Sequence, residues 1–339
     1  MGRDGEAFAE CLCRVGGSLK IRRLQRDEVG DFDILARKYG TLFNCSDWLN
    51  LFGDKIQLLG IFDDGGQMIG GLSLYQEHRW GLKILRSAPF TPTCGPFLEV
   101  KAQNPVAILE ARRKVLVCLA EYLEKQSASI VMFSLDQKII DALPFFWQKY
   151  KVVPHYTYLI NLLTSIPNIQ KNMSSARRND ISKARKDGLI VRRTNDMSIV
   201  RDLVLSTFAR QNKSLNIHIL EAILFRYANA SNSYAFTTYR EDRPIATCFV
   251  VYNNTIAYNL LAGSKTEERH HGAGPLAVFE AIKYAQGLGV QVFDFEGSVI
   301  PAIETYFRGF GGELTPYFTV NKAWLPLEIA LKFVKRGVF

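Results

Sequence analysis

Three apolar runs, Ser233 to Tyr239, Pro244 to Tyr252 and Thr255 to Ala262, follow one another with only polar turns between them, Arg240-Glu241-Asp242-Arg243 and Asn253-Asn254. Runs of this length bounded by turn residues predict an antiparallel meander. What comes next narrows the fold further. Arg269-His270-His271-Gly272-Ala273-Gly274 leads into a helix from Pro275 to about Gln286, closed by Gly287 and Gly289, and then into a strand at Val290 to Phe295, a short helix at Pro301 to Arg308 and a strand at Leu314 to Val320. This order predicts an α/β fold of the α+β mixed-sheet kind, with mostly antiparallel strands and helices on both faces.

The chain has 339 residues, 47% of them hydrophobic, which is too long for one ordinary core and suits two domains. The first half shows a similar element order. A strand and helix occupy Ile21 to Tyr39, and two apolar runs, Gln57 to Phe62 and Gln67 to Tyr75, flank Asp63-Asp64-Gly65-Gly66, a hairpin signal. Asn104-Pro105 opens a helix to about Gln126, followed by strands at Ser129 to Leu135 and within Tyr150 to Leu163. A basic helix, Ser174 to Lys186, stops at Gly188; Asp196 caps the next, and Ile217 to Ala228 is helical. The expected organisation is a flexible lead-in over 1–20, domains over 21–163 and 164–323, and an amphipathic helix over 324–339 that closes a core. Its Lys332, Lys335 and Arg336 also suit weak association with a membrane surface.

The formal net charge of +9 attracts anions without choosing among cofactor phosphates, nucleic acid and acidic envelope polymers. No apolar run reaches the roughly 18 residues of a membrane span, and acids interrupt the N-terminus where an export signal needs apolar residues. The six cysteines form no CxxC pair and no His/Cys spacing suggests a metal site, so the expectation is a cytoplasmic protein with reduced thiols and no metal, peripheral at most to the inner membrane face.

Three segments carry candidate chemistry. In Arg269, His270, His271, Gly272, Ala273 and Gly274, glycines let backbone approach a ligand and the helix N-terminus favours a phosphate; the same residues also make an ordinary tight strand-to-helix turn. In Phe293-Asp294-Phe295-Glu296-Gly297-Ser298, strand alternation projects Asp294 and Glu296 together. Their mutual repulsion raises one pKa toward that of a general base. Alternatively Ser298 caps the next helix and the acids bind backbone N–H groups or arginines. Tyr306, ahead of Gly309-Phe310, is a candidate proton donor or a half-buried packing residue.

Together these segments resemble the GNAT (GCN5-related N-acetyltransferase) superfamily, whose signature Arg/Gln-x-x-Gly-x-Gly/Ala is met by Arg269, Gly272 and Gly274; helix, strand, Tyr306 and Gly309-Phe310 follow in family order. The resemblance implies two tandem GNAT-like domains, acyl-coenzyme A (acetyl-coenzyme A first) as cosubstrate near residues 269–274, and direct attack by a primary amine with Glu296 as base, Tyr306 as acid and Asp294 beside them. Pro275 departs from the pattern, because it removes a backbone N–H. The layout also resembles the FemAB-type branch, in which the basic helix 176–188 opens the second domain. That resemblance implies an alternative donor, aminoacyl-tRNA, and a cell-wall or envelope-precursor amine as acceptor. The cations of 171–193 would hold the tRNA, or else form a solvated face; aromatics for base stacking are absent from that stretch. A third alternative is a catalytically inactive GNAT-fold binding protein whose loop Pro275 has spoiled.

Overall fold

A computed structural model describes residues 11–13, 19–334 and 337–338. In chain order its elements are β1 (Cys11–Cys13), β2 (Leu19–Arg23), α1 (Val29–Tyr39), α2 (Ser46–Leu49), β3 (Ile56–Phe62), β4 (Met68–Arg79), β5 (Leu82–Arg86), β6 (Phe97–Leu98), α3 (Pro105–Glu124), β7 (Ile130–Ser134), α4 (Leu143–Trp147) and β8 (Lys151–Asn161). There follow α5 (Ile166–Asn172), α6 (Ser175–Lys186), β9 (Ile190–Thr194), α7 (Met197–Arg210), α8 (Ile217–Ala222), β10 (Ser233–Arg240), β11 (Arg243–Tyr252), β12 (Ile256–Ser264), α9 (Ala273–Gly287), β13 (Val292–Asp294), α10 (Pro301–Arg308), β14 (Glu313–Ala323) and α11 (Leu325–Val334). They form two compact units, residues 1–154 with 316–339, and 155–315. The first unit thus ends before the 163/164 join expected from sequence and takes back the late segment from 316 onward.

In unit 1 the antiparallel ladder β1-β2-β3-β4-β5 is extended by β7, parallel to β5, and β7 is paired in turn by the 319–323 part of β14. The hairpin between β3 and β4 is closed by Asp63, whose Oδ1 accepts from the N–H groups of Gly65 (3.0 Å) and Gln67 (2.9 Å). Asn104 caps α3 through the Ala107 N–H (2.8 Å), with Pro105 in the first turn, where a missing donor costs nothing. The helix then buries Val115, Leu119 and Leu123 against Leu59, Leu72, Leu85, Phe133 and Val320. Strand β1 falls within the stretch read from sequence as a flexible lead-in, yet it pairs with β2; the rest of that stretch before Leu19 lies outside the described residues.

In unit 2, β9-β10-β11-β12 form the antiparallel meander, β13 joins β12 in parallel, and the 159–161 part of β8 pairs with β13. Ala246, Cys248 and Val250 of β11 share a core with Leu276, Phe279 and Ile282 of α9. The alternating Phe249 and Val251 are also fully buried and face the other way. Helix α7 packs on β11 and β12, and Asp196 caps it through the Ser198 N–H (2.9 Å). The helix expected over 217–228 forms as α8, with a π-helical turn at Ile223–Tyr227.

The tail corrects one expectation. Helix α11 forms, but Leu325, Ile329 and Phe333 are 69%, 52% and 88% exposed, so they close no core. The helix rests on its other edge, where Leu327, Glu328 and Leu331 are half-buried and Glu328 is paired to Lys332 (2.8 Å). Among the described residues no helix is long and apolar enough to cross a membrane.

Candidate functional site

Strands β12 and β13 pair over only three positions, Ile256–Val292, Ala257–Phe293 and Tyr258–Asp294. Beyond Tyr258, β12 continues to Ser264 without β13, whose chain leaves the sheet. The departure is built into the sequence. Glu296 sits at φ 59° and Gly297 at φ 75°, and a Cβ on Gly297 would stand 1.9 Å from the Tyr156 carbonyl oxygen. Only glycine meets both demands.

The two carboxylates at this exit differ sharply. Asp294 is buried, and its Oδ1 accepts from the Thr157 hydroxyl (2.5 Å) and the Glu296 N–H (2.7 Å). Glu296 has a buried Oε1 with no hydrogen-bond partner. Burial, reinforced by the negative charge of Asp294, holds its pKa well above the ordinary carboxylate value. Ser298 accepts from the Ile300 N–H (3.1 Å), but the residue at the α10 cap position is Ile300.

Helix α10 meets this exit through aromatic rings. Phe295 lies 5.1 Å, centroid to centroid, from both Phe307 and Phe310, and Tyr306 packs edge-on against Phe310 at 5.5 Å. A Cβ built on Gly274 would be 3.2 Å from the Tyr306 hydroxyl, so the end of the glycine loop and the tyrosine are neighbours. Burial raises the Tyr306 pKa; the Arg177 charge opposes it. Such a phenol stays protonated at neutral pH.

The glycine loop is mostly engaged with its own chain. The Gly272 N–H donates to His270 Nδ1 (3.0 Å) and the Ala273 N–H to the His270 carbonyl (3.0 Å). His270 Nε2 in turn lies 2.9 Å from Asp187 Oδ2 at the end of α6. Pro275 has no N–H, and the Gly274 N–H meets no acceptor among the described residues. Arg269 and His271 are exposed and have no ion-pair partner among the described residues. Gly272 serves packing as well. A Cβ there would stand 2.1 Å from the Asp180 carbonyl oxygen and 2.7 Å from the Ala184 Cβ, so α6 and α9 touch backbone to backbone. Of the N–H groups a coenzyme A pyrophosphate would meet at the helix start, those of Gly272 and Ala273 are taken by His270, while that of Gly274 and the Arg269 charge are not.

The sequence reading missed Arg177. It is 9% exposed and bridges α6 to α10: Nη1 donates to Asp180 Oδ2 (3.1 Å), Nη2 to the Tyr306 carbonyl (3.1 Å), and the guanidinium lies 4.3 Å over the Tyr306 ring. A signal was available, since Arg177, Ile181 and Ala184 share one helical stripe and are all buried. Part of the remaining basic run is tied up locally. Arg178 binds the Lys171 and Met173 carbonyls, and Lys183, Arg185 and Arg192 pair with Asp187, Glu280 and Asp242. Thr157, which fixes Asp294, carries no local sequence signal. Among the described residues no group of three or more His, Cys, Asp or Glu could hold a metal ion.

The family model described as an acetyltransferase (GNAT) domain matches residues 175–308, which hold the meander, the loop, β13 and α10. No curated protein matches the chain by sequence. Among solved structures, FemX superposes with a TM-score of 0.63 at 12% identity, over 91% of this chain and 99% of that one. The C-terminal domain of a putative lysylphosphatidylglycerol synthetase from Agrobacterium fabrum gives 0.55 at 10% identity, over 90% and 95%. A tandem GNAT protein from the clavulanic acid biosynthesis pathway gives 0.51 at 14% identity, over 90% and 98%. At such identities the structural likeness speaks for the fold. Residues 175–308 thus match a GNAT acetyltransferase domain, and the chain as a whole shares the fold of these FemX-type and tandem GNAT structures.

Proposed function

We propose that unit 2 is an N-acyltransferase that moves an acyl group from an activated ester or thioester to a primary amine by direct attack. The observation that carries this reading is Glu296, a carboxyl with a buried, unpartnered Oε1 and a raised pKa where β13 leaves the sheet. A base of that kind takes a proton from an attacking amine near neutral pH. The amine nitrogen bonds to the acyl carbon, the carbon–sulfur or carbon–oxygen bond breaks, the amine proton passes to Glu296, and Tyr306 protonates the leaving group. Asp294, tied to Thr157, keeps the Glu296 pKa high. The Gly274 N–H is a donor for developing charge on the carbonyl.

Acetyl-coenzyme A is the donor that the GNAT resemblance implies first. A second reading, transfer from aminoacyl-tRNA to an envelope-precursor amine, gains from the loop, because His270 already holds two of the N–H groups a pyrophosphate would need. In that reading the tRNA lies along 171–193, where Lys171 and Lys186 have no ion-pair partner among the described residues. The protein then works at the inner membrane face without inserting.

The test is transfer of radiolabel from acetyl-coenzyme A, and separately from aminoacyl-tRNA, to a panel of primary amines that includes envelope precursors. Transfer from one donor is expected, with kcat reduced about a hundredfold or more in Glu296→Gln. No transfer from either donor, or an unimpaired Glu296→Gln, refutes the reading and leaves a binding protein.

A further inference from the structure

Unit 1 contains a cavity of about 60 Å³ that the acyl-transfer reading does not use. Its walls include Phe97, Leu116 and Ile139, and its charged residues are Asp136, Arg112 and Lys138. Asp136 is 4% exposed, just past the end of β7. Its backbone N–H donates to the Gly95 carbonyl (3.3 Å), and its Oδ1 accepts from the Lys138 N–H (2.8 Å). Its other oxygen, Oδ2, has no hydrogen-bond partner among the described residues. Oδ2 is therefore open to a donor or a cation that enters the cavity.

The two cations of the cavity are exposed at their outer ends, and neither has an ion-pair partner among the described residues. Both lie near enough to act on the Asp136 charge, yet no ion pair within 4 Å forms. Burial raises the Asp136 pKa, while Lys138 and Arg112 pull it down. One carboxylate and two cations therefore face a common space without closing on one another. The volume corresponds to roughly four or five water-sized spheres.

We propose that this cavity is a binding site for a small zwitterion, a free α-amino acid with a short apolar side chain. Its ammonium group bonds Asp136 Oδ2, its carboxylate bonds Arg112 and Lys138, and its side chain lies against Phe97, Leu116 and Ile139. A charge-assisted contact at each end explains why both signs line one cavity. The apolar wall of Phe97, Leu116 and Ile139 favours an apolar side chain over a charged one. The proposal is independent of the unit 2 reading, because all these residues belong to unit 1.

The experiment is calorimetric titration of the full chain with glycine, L-alanine and D-alanine, beside alaninamide, which lacks the carboxylate, and N-acetylalanine, which lacks the ammonium group. One-site saturation is expected with at least one free amino acid, with at least tenfold weaker binding of both blocked compounds. Asp136→Asn keeps an oxygen for the Lys138 N–H, so the fold is retained, and should also lose at least tenfold. The exposed Arg112→Gln provides the same readout at the other end and does not depend on the folding of the Asp136 variant. No saturable heat with any amino acid up to 10 mM, on the order of the weakest binding worth calling specific, overturns the proposal. So does undiminished binding in Asp136→Asn and Arg112→Gln, or equal binding of alanine and alaninamide.

Discussion

Two glycines two residues apart should behave oppositely. At Gly272 the Cβ of alanine would lie 2.1 Å from the Asp180 carbonyl oxygen, 2.7 Å from the Ala184 Cβ and 2.9 Å from the Asp180 carbonyl carbon. Reaching van der Waals contact requires α6 and α9 to part by roughly 1 Å, and most of the obstacle is backbone that no rotamer can move. Helix α6 is also tied down by Arg177 on Tyr306 and by the Ser174 N–H on the Gly309 carbonyl. Overpacking of a close-packed site costs about 1–3 kcal/mol, and Gly272→Ala should sit at the upper end. That is a loss of about a hundredfold in the folded-to-unfolded ratio. At Gly274 the added Cβ meets only the Tyr306 hydroxyl at 3.2 Å, with φ in the ordinary helical range. Gly274→Ala should leave stability unchanged or raise it by up to about 1 kcal/mol through helix propensity, while crowding the tyrosine and lowering transfer. Urea unfolding followed by circular dichroism measures both. A Gly272→Ala protein within about 0.5 kcal/mol of the parent would refute the backbone contact between α6 and α9.

Other expectations follow from the same geometry. Because Glu296 has a raised pKa in the fold, the native state holds a proton that the unfolded chain has lost between the ordinary value of 4.5 and the native value; stability therefore falls as pH rises through that window, and Glu296→Gln should flatten the slope in pH-dependent melting. The transfer rate should rise with pH over the same window, and Asp294→Asn should shift its midpoint to lower pH; an unmoved midpoint would separate Asp294 from Glu296. Arg177→Met should cost about 2–4 kcal/mol in urea unfolding, because it strips Asp180 and the Tyr306 carbonyl of their partner. Lys186→Gln on the same helix should change stability by less than about 0.5 kcal/mol. Ile329→Ser, at a side chain 52% exposed, should likewise fall within about 0.5 kcal/mol, and a much larger loss would show that α11 is packed more deeply.

The parts legible in the sequence are those with local causes. The Asp63 hairpin, the Asn104 and Asp196 caps and the three-strand meander are dictated by residues within a few positions of one another. The pairing of residues 319–323 with 130–134 has no local cause, so the split of β14 between units was not readable. In the candidate site, the residue types were recognisable but their allegiance was not. Gly272 reads as a ligand-facing glycine but is also demanded by the α6–α9 contact, and His270 reads as a phosphate neighbour but braces the loop against Asp187. Arg177 merges with a charge run until the periodicity of α6 is compared with its burial. Tail residues at helical spacing predicted a helix correctly and its covered face incorrectly, because spacing alone does not say which stripe meets the protein.

The return of residues 316–323 to unit 1 sets a timetable for biosynthesis. A ribosome delivers β7 early, but the strand that pairs with its edge is translated only after the whole of 155–315. At about 5–20 residues per second, the edge of β7 waits on the order of ten seconds or more for its partner. During that interval Ile130–Ser134 offers unpaired backbone groups to any passing strand. Nascent chains stalled before residue 316 should therefore recruit a holding chaperone, and chains released past Ala323 should not.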